Sequence, residues 1–302
     1  MPKRKPEHAG EAHGYCLSAT AGRGAKRTRE GAIEAMGSLS QPYLEIRCLG
    51  EFSIRDVQHH QLRSSKRPKQ LIALLQLLIT AGAAGLARHS MAAMLWPDQR
   101  SPIAAGTLDS TLFRLRSMLG YKQAIVVSAG MIALEPRYVA VDAWLFLQEA
   151  DILLARLAVP FDDRDSGEIA VRYERLVGRY GGPLLAGVAG RPLIIAARGK
   201  LDEKLQSVAI QVGRHWEMAG RWNRALQLFE NIIALGCATD AIHTETMRCH
   251  FALGDYAKVV DTYKVIFLAQ AGKLAAKPGS EAESLYQRAL VEEIKIKPAT
   301  PG

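Results

Sequence analysis

Ser101–Gly120, SPIAAGTLDSTLFRLRSMLG, decides how the rest of the chain is read. Set at about 100° per residue, Leu108, Leu112, Leu115 and Leu119 fall in one narrow stripe, while Thr107, Ser110, Arg114 and Ser117 point the other way. One face packs and the other is left to read. That pattern suits the second helix of a helix-turn-helix, the one that enters the major groove. Ser101 is expected to cap this helix with Pro102 at its first position, and Gly120 to end it.

The flanks fit that role. Upstream, YLEIRCLGEFSIRD from Tyr43 alternates apolar and polar residues around Gly50, which predicts two short strands and a small antiparallel sheet. Arg63, Lys66, Arg67 and Lys69 then precede a helix that Pro68 can begin and that runs to about Thr80. Cations at a helix start oppose its dipole by some tenths of a kcal/mol each, a conflict that an external phosphate would resolve. Gly82 and Gly85 break the chain, Ser90 is expected to cap a short helix in MAAMLWP, and Pro97 stops it. Downstream, a strand over Ala124–Val127, a turn near Gly130 and a strand over Met131–Leu134 predict a hairpin wing. The expected order is that of a winged helix-turn-helix over residues 43–139.

Within it, Arg114 is the candidate for a base edge, bidentate to a guanine. Thr107, Ser110 and Ser117 would touch bases or phosphates beside it, and Lys66, Arg67, Lys69 and Lys122 would supply the backbone contacts that fix register. Phe113 is outward by angle and is expected to pack on the wing rather than meet a thymine methyl. Asp109 repels phosphate, but it lies only about 20° from Arg116 on the wheel, close enough for the two to neutralise each other in part.

YLEIRCLGEFSI, KRPKQLIALLQLLI, LWPD, GTLDSTLFRLRSMLG, a hairpin and VDAWLF, in that order, resemble the SARP-type bacterial transcriptional regulators. That family joins a response-regulator-like winged helix to a bacterial transcriptional activator domain (BTAD), and the resemblance covers roughly residues 43–290. It implies sequence-specific binding to double-stranded promoter DNA and recruitment of RNA polymerase.

The C-terminal half can be tested by its own pattern. Ala219-Gly220-Arg221-Trp222 recurs as Leu253-Gly254-Asp255-Tyr256, 34 residues on, which is the tetratricopeptide period. Gly213 and Ala225 hold the small positions, and Trp216, Phe229 and Tyr263 the large ones; the second copy carries Met247 and Val259 where small residues belong. Two repeats cannot close a core, so helices over Val141–Leu157, Glu168–Tyr180 and Ser280–Val291 are expected to complete the stack. The fold class expected is mainly α: a winged helix (α+β), then an all-α repeat domain over residues 140–292, with a disordered basic leader over 1–41 and a disordered tail over 293–302.

Charge divides along the same line. Residues 1–139 carry 19 Lys and Arg against 10 Asp and Glu, a net of +9, and residues 140–302 carry 20 against 20. A polyanion partner for the first half accounts for that asymmetry. The leader's clusters at Lys3–Lys5 and Lys26–Arg29 could track phosphates or have no role at all.

Chemistry of other kinds finds little support. Cys16, Cys48, Cys237 and Cys249 form no CxxC pair and are taken as reduced thiols of a cytoplasmic protein, and the apolar run Leu71–Ile79 is far short of the roughly 20 residues of a membrane span. RGKL at Arg198–Leu201 lacks the glycine and hydroxyl of a P-loop. Asp162, Asp163 and Asp165 lack the closing glutamate of a calcium loop, and Asp165 or Ser166 is expected to cap a helix instead. Cys237, His243, Cys249 and His250 lack zinc spacing, and His59 and His60 leave a pH or metal role open. No catalytic phrase, cofactor motif or metal site is identified. The alternative reading is an adaptor with a degenerate winged helix and a working repeat groove, for which Asp109 and the sparse cations of the helix speak. Homodimeric or tandem binding on DNA fits a helix with so few bases. Operator, regulated genes and any small-molecule effector are not legible.

Overall fold

The computed structural model of the chain describes residues 43–56, 69–271 and 279–296. The expectations placed on the leader, on His59 and His60, and on Arg63, Lys66 and Arg67 lie outside those residues.

Strand β1 (Leu44–Arg47) buries Leu44 and Ile46 completely, while Glu45 and Arg47 pair with each other on its outer face. As expected, it runs antiparallel to β2 (Ser53–Asp56), Ile46 opposite Ile54. A third strand, β6 (Val139–Val141), completes this sheet in the order β2-β1-β6 and is parallel to β1, Ile46 opposite Val141. Three residues leave too little periodicity to show as a strand, and parallel pairing becomes possible only because the helices between supply the crossover.

Helix α1 (Lys69–Ala81) buries Leu71, Leu74, Leu75, Leu77, Leu78 and Ile79, more than one stripe, so it is covered on two sides. Next come β3 (Leu86–Ala87), α2 (Arg88–Leu95), α3 (Ser101–Leu119), β4 (Ile125–Ser128) and β5 (Met131–Leu134). The wing hairpin turns through Ala129 and Gly130, both left-handed, and β3 pairs with β5 to make a three-stranded sheet, order β3-β5-β4. Two helix starts differ from expectation. Ala87 occupies the cap position of α2, leaving Ser90 inside the first turn with its hydroxyl 3.2 Å from the His89 ring. At α3 the Arg100 carbonyl accepts the N–H groups of Ile103 and Ala104, both at 3.0 Å, so Ser101 is already helical and Pro102 sits second. Proline suits either of the first two positions, because neither N–H has an intrahelical partner to lose.

Beyond β6 the chain is helical: α4 (Asp142–Leu157), α5 (Ser166–Arg179), α6 (Pro192–Met218), α7 (Trp222–Ala234), α8 (Asp240–Ala252), α9 (Tyr256–Ala271) and α10 (Ser280–Ile296). The 34-residue repeat is visible in its hydrogen bonds. Arg221 N–H donates to Trp216 O at 2.7 Å, and Asp255 N–H donates to His250 O at 2.9 Å, each around a left-handed glycine, Gly220 and Gly254. In the first copy Phe229 lies directly on Gly213, where a Cβ would stand 2.2 Å from the tip of the ring. In the second, Met247 and Tyr263 belong to a separate apolar cluster with Val259, Ile266 and Ala289. Neither Asp165 nor Ser166 caps α5 by a side chain: Asp165 pairs with Arg156, and Ser166 Oγ lies between Asp163 Oδ1 (2.9 Å) and His215 Nε2 (2.8 Å).

The first apolar core runs without a break from Leu44 to Cys249, through sheet, winged helix and repeats. Hydrogen bonds join the first sheet to the helices that follow. Leu185 N–H donates to Cys48 O (2.6 Å) and Gly50 N–H to Pro183 O (3.1 Å). The Asp142 carboxylate, at the start of α4, accepts the N–H groups of Cys48 (2.9 Å) and Leu49 (3.0 Å). Arg198, from the RGKL phrase, fastens the far side by donating to the carbonyls of Leu184, Leu185 and Val188. Trp144 Nε1–H on α4 reaches the Ile79 carbonyl at the end of α1, 2.9 Å away.

Candidate nucleic-acid interface

Helix α3 has the two faces that its sequence implies. Leu108, Leu112, Leu115 and Leu119 are 0–2% exposed, and Ala104 and Thr111 join them. On the opposite side Ser110, Arg114 and Ser117 are exposed and Thr107 is half-buried, so the structure brings these four expected residues onto one face. Lys122 is exposed on a 3-10 turn just past the helix end at Gly120. Lys69 is exposed too, but it opens α1, a separate element.

Three further residues stand on or beside that face and were not singled out from sequence. Ile103 is 60% exposed, Gly106 has nothing within 4 Å of where a Cβ would be, and Arg100 is exposed at the cap position, next to the helix's N-terminal dipole. Wheel angle would have placed Ile103 and Gly106 there, on the arc of Ser110 and Ser117. Phe113 is a correction. It does not pack on the wing but stands 72% exposed, although Arg116, three residues on, holds the wing's first residue.

The helix's remaining charges are used on one flank. Arg116 donates from Nη2 to the Ile125 carbonyl at 3.0 Å, which seats the first residue of the wing. Asp109 pairs with Arg88 at the start of α2 and not with Arg116, so the mutual neutralisation expected along the helix is replaced by a tie between the two helices of the turn. Angle places residues on a helix, but it cannot show which neighbouring element brings the partner. The repulsion of phosphate by Asp109 is offset all the same.

The hydroxyls are partly committed. Thr107 Oγ1–H donates to Ile103 O (2.9 Å) and Ser110 Oγ–H to Thr107 O (2.9 Å), so what they present outward is an acceptor. An acceptor suits the exocyclic amines of adenine and cytosine and does not suit a phosphate oxygen. The wing carries no charged residue from Ile125 to Leu134, and Val126, Val127 and Met131 are 37–43% exposed along it. Any phosphate it meets would have to be held by Ser128 or by backbone N–H groups.

In the repeats, Arg248 bridges Glu217 (3.0 Å) and Glu245 (3.2 Å), and Arg214 reaches Glu245 (2.7 Å). Burial pushes the Glu217 carboxyl above its ordinary range and the His215 and His250 imidazoles below theirs. Cys48, Cys237 and Cys249 are buried, and burial raises each thiol. Among the described residues no group of three or more His, Cys, Asp or Glu is arranged to hold a metal, and no helix is long and apolar enough to cross a membrane.

With this geometry in place, residues 141–290 match the family model of the bacterial transcriptional activator domain. No curated protein matches the chain. The fold is similar to that of the solved structure of Mycobacterium tuberculosis EmbR in complex with low affinity phosphopeptide, with a TM-score of 0.66 and 15% identity. The match takes in 83% of this chain and 66% of that one, so this chain spans just under two thirds of the length of the structure it resembles.

Proposed function

We propose that this chain, which belongs to the SARP-type bacterial transcriptional regulators, binds double-stranded DNA sequence-specifically through α3 and contacts RNA polymerase through its helical repeats. The family is one of transcriptional activators and not of enzymes. The observation that carries the reading is the outward face of α3. It is exposed but for the half-buried Thr107, fixed by a leucine seam beneath, tied to α2 and the wing by Asp109 and Arg116, and free of carboxylates. Residues 43–139 are taken as the DNA-binding part and 140–292 as the activator part, in a cytoplasmic protein that occupies DNA as a homodimer or in tandem. Arg114 reads a base edge, Thr107 and Ser110 accept from base amines, Ser117 touches a base or phosphate beside them, and Lys66, Arg67, Lys69 and Lys122 hold the backbone.

The adaptor reading loses one of the two features that favoured it, since the Asp109 carboxylate is already paired with Arg88, and keeps the other, the sparse cations of the helix. A gel shift of the full chain with fragments of the host genome at two salt concentrations tests the proposal. Retention of particular fragments that weakens as salt rises is expected; no retention at low salt would leave only the adaptor.

A further inference from the structure

The outward face of α3 is unusual in what it offers a groove. Along it stand Ile103, Ser110, Ser117 and Gly106, with a single cation, Arg114, towards one side and Phe113 at the other edge. Two large apolar side chains, 60% and 72% exposed, are placed on the face that meets DNA on the reading above, and neither touches the wing or a neighbouring helix enough to be covered.

We infer that Ile103 and Phe113 are specificity-determining residues that pack on thymine 5-methyl groups in the major groove, so that the preferred operator is fixed by thymines at two positions as much as by a guanine opposite Arg114. The inference rests on the DNA-binding reading. The thymine methyl is the one apolar group that the major-groove edges of base pairs present, and exposed apolar side chains are its natural complement. Gly106 lies between the two, where the missing side chain lets the helix backbone approach the base edges. Ten residues separate Ile103 from Phe113, about 15 Å of helix axis, so the two side chains meet different base pairs. The surroundings favour DNA over an apolar protein partner. Arg100, Arg114 and Lys122 are exposed around the patch, the one acidic residue of α3 is paired with Arg88 at its margin, and the apolar groups are set apart by Gly106, Ser110 and Ser117 and do not form a continuous surface.

The test uses the full chain, a pool of randomised duplexes and, for the sites selected, matched duplexes with uracil in place of thymine, which removes the methyl and leaves the hydrogen-bonding edge intact. Thymine is expected at two fixed positions, with a loss of about fourfold in affinity for each methyl removed, the transfer value of one buried methyl-sized group. Phe113→Ala should abolish uracil sensitivity at one of these positions, Ile103→Ala at the other, and Phe113→Leu should retain part of it. Both side chains are exposed, so the variants should fold; unchanged circular dichroism and melting check this. Equal binding of thymine and uracil duplexes, or an unchanged thymine pattern with Phe113→Ala, overturns the inference while leaving DNA binding in place. Failure to retain any duplex overturns both.

Discussion

Gly50 and Gly181 meet backbone to backbone: a Cβ on Gly50 would stand 2.4 Å from the Gly181 carbonyl oxygen, and one on Gly181 would stand 2.7 Å from that of Leu49. Gly50 belongs to the first strand pair and Gly181 to the loop after α5, so the contact joins the sheet beside the winged helix to the helical stack. Gly50 also has φ +87°, a conformation that residues with a Cβ adopt at a cost of about 1–2 kcal/mol.

Gly50→Ala should therefore lower stability by about 2 kcal/mol or more, strain and collision acting together. Because one core runs from Leu44 to Cys249, the loss should appear as a single shifted transition. Urea unfolding followed by tryptophan fluorescence checks both points, since Trp96, Trp144, Trp216 and Trp222 all lie in or against that core, and two separate fluorescence transitions would contradict its continuity.

Gly106→Ala should act in the opposite direction. The position is helical and exposed with no atom near a Cβ, so alanine should stabilise the chain by about 0.5–1 kcal/mol through the unfolded state. DNA affinity should fall at the same time if the backbone there approaches base edges. A melting curve and a gel shift on one variant report the two effects separately.

Arg114→Ala should reduce affinity for the preferred site by about 1–3 kcal/mol and leave non-specific binding almost unchanged. Lys122→Ala should weaken both alike and lower the slope of log affinity against log salt by about one. Equal losses on all sequences for Arg114→Ala would remove it from base reading.

Stability should also fall with mild acidification. Burial depresses the folded-state pKa of His215, packed on Phe161 and bonded to Ser166, below its ordinary 6.5, against the pull of Asp163 and Asp165. The unfolded chain takes up that proton first, so the contribution is whole above pH 6.5 and is lost as pH falls below it. Glu217 works the other way: its raised carboxyl favours the fold at and below 4.5, and that benefit fades as pH rises. Comparing His215→Asn with the unmodified chain between about pH 7.5 and about pH 5.5 isolates the histidine, and the variant should lose less stability on acidification.

The sequence carried the parts of this fold that repeat or alternate. The α3 leucine stripe, the β1–β2 pair and the 34-residue echo around Gly220 and Gly254 are all periodic, and each appears in place. What it could not carry depends on pairs distant along the chain. β6 is three residues long and becomes a strand only beside β1; Asp109 finds Arg88 and not Arg116; Ser166 turns to His215 instead of capping its own helix. Phe113 escaped for a different reason. Angle gave its direction correctly, but whether the wing reaches it depends on where Arg116 anchors Ile125, and no local pattern encodes that distance.

Strand β6 ends at Val141 and α4 begins at Asp142, with no residue between. The last strand to close the sheet is thus also the root of the first helix of the stack, and its neighbour β1 is held by that helix's opening carboxylate. Modular exchange meets an obstacle here. A chimaera that transplants the reading head by splicing at residue 140 cuts through a hydrogen-bonded ladder and not a tether, and it succeeds only if the donor and recipient agree on the register of β6, on an acidic residue at the head of α4 and on glycines where Gly50 and Gly181 meet.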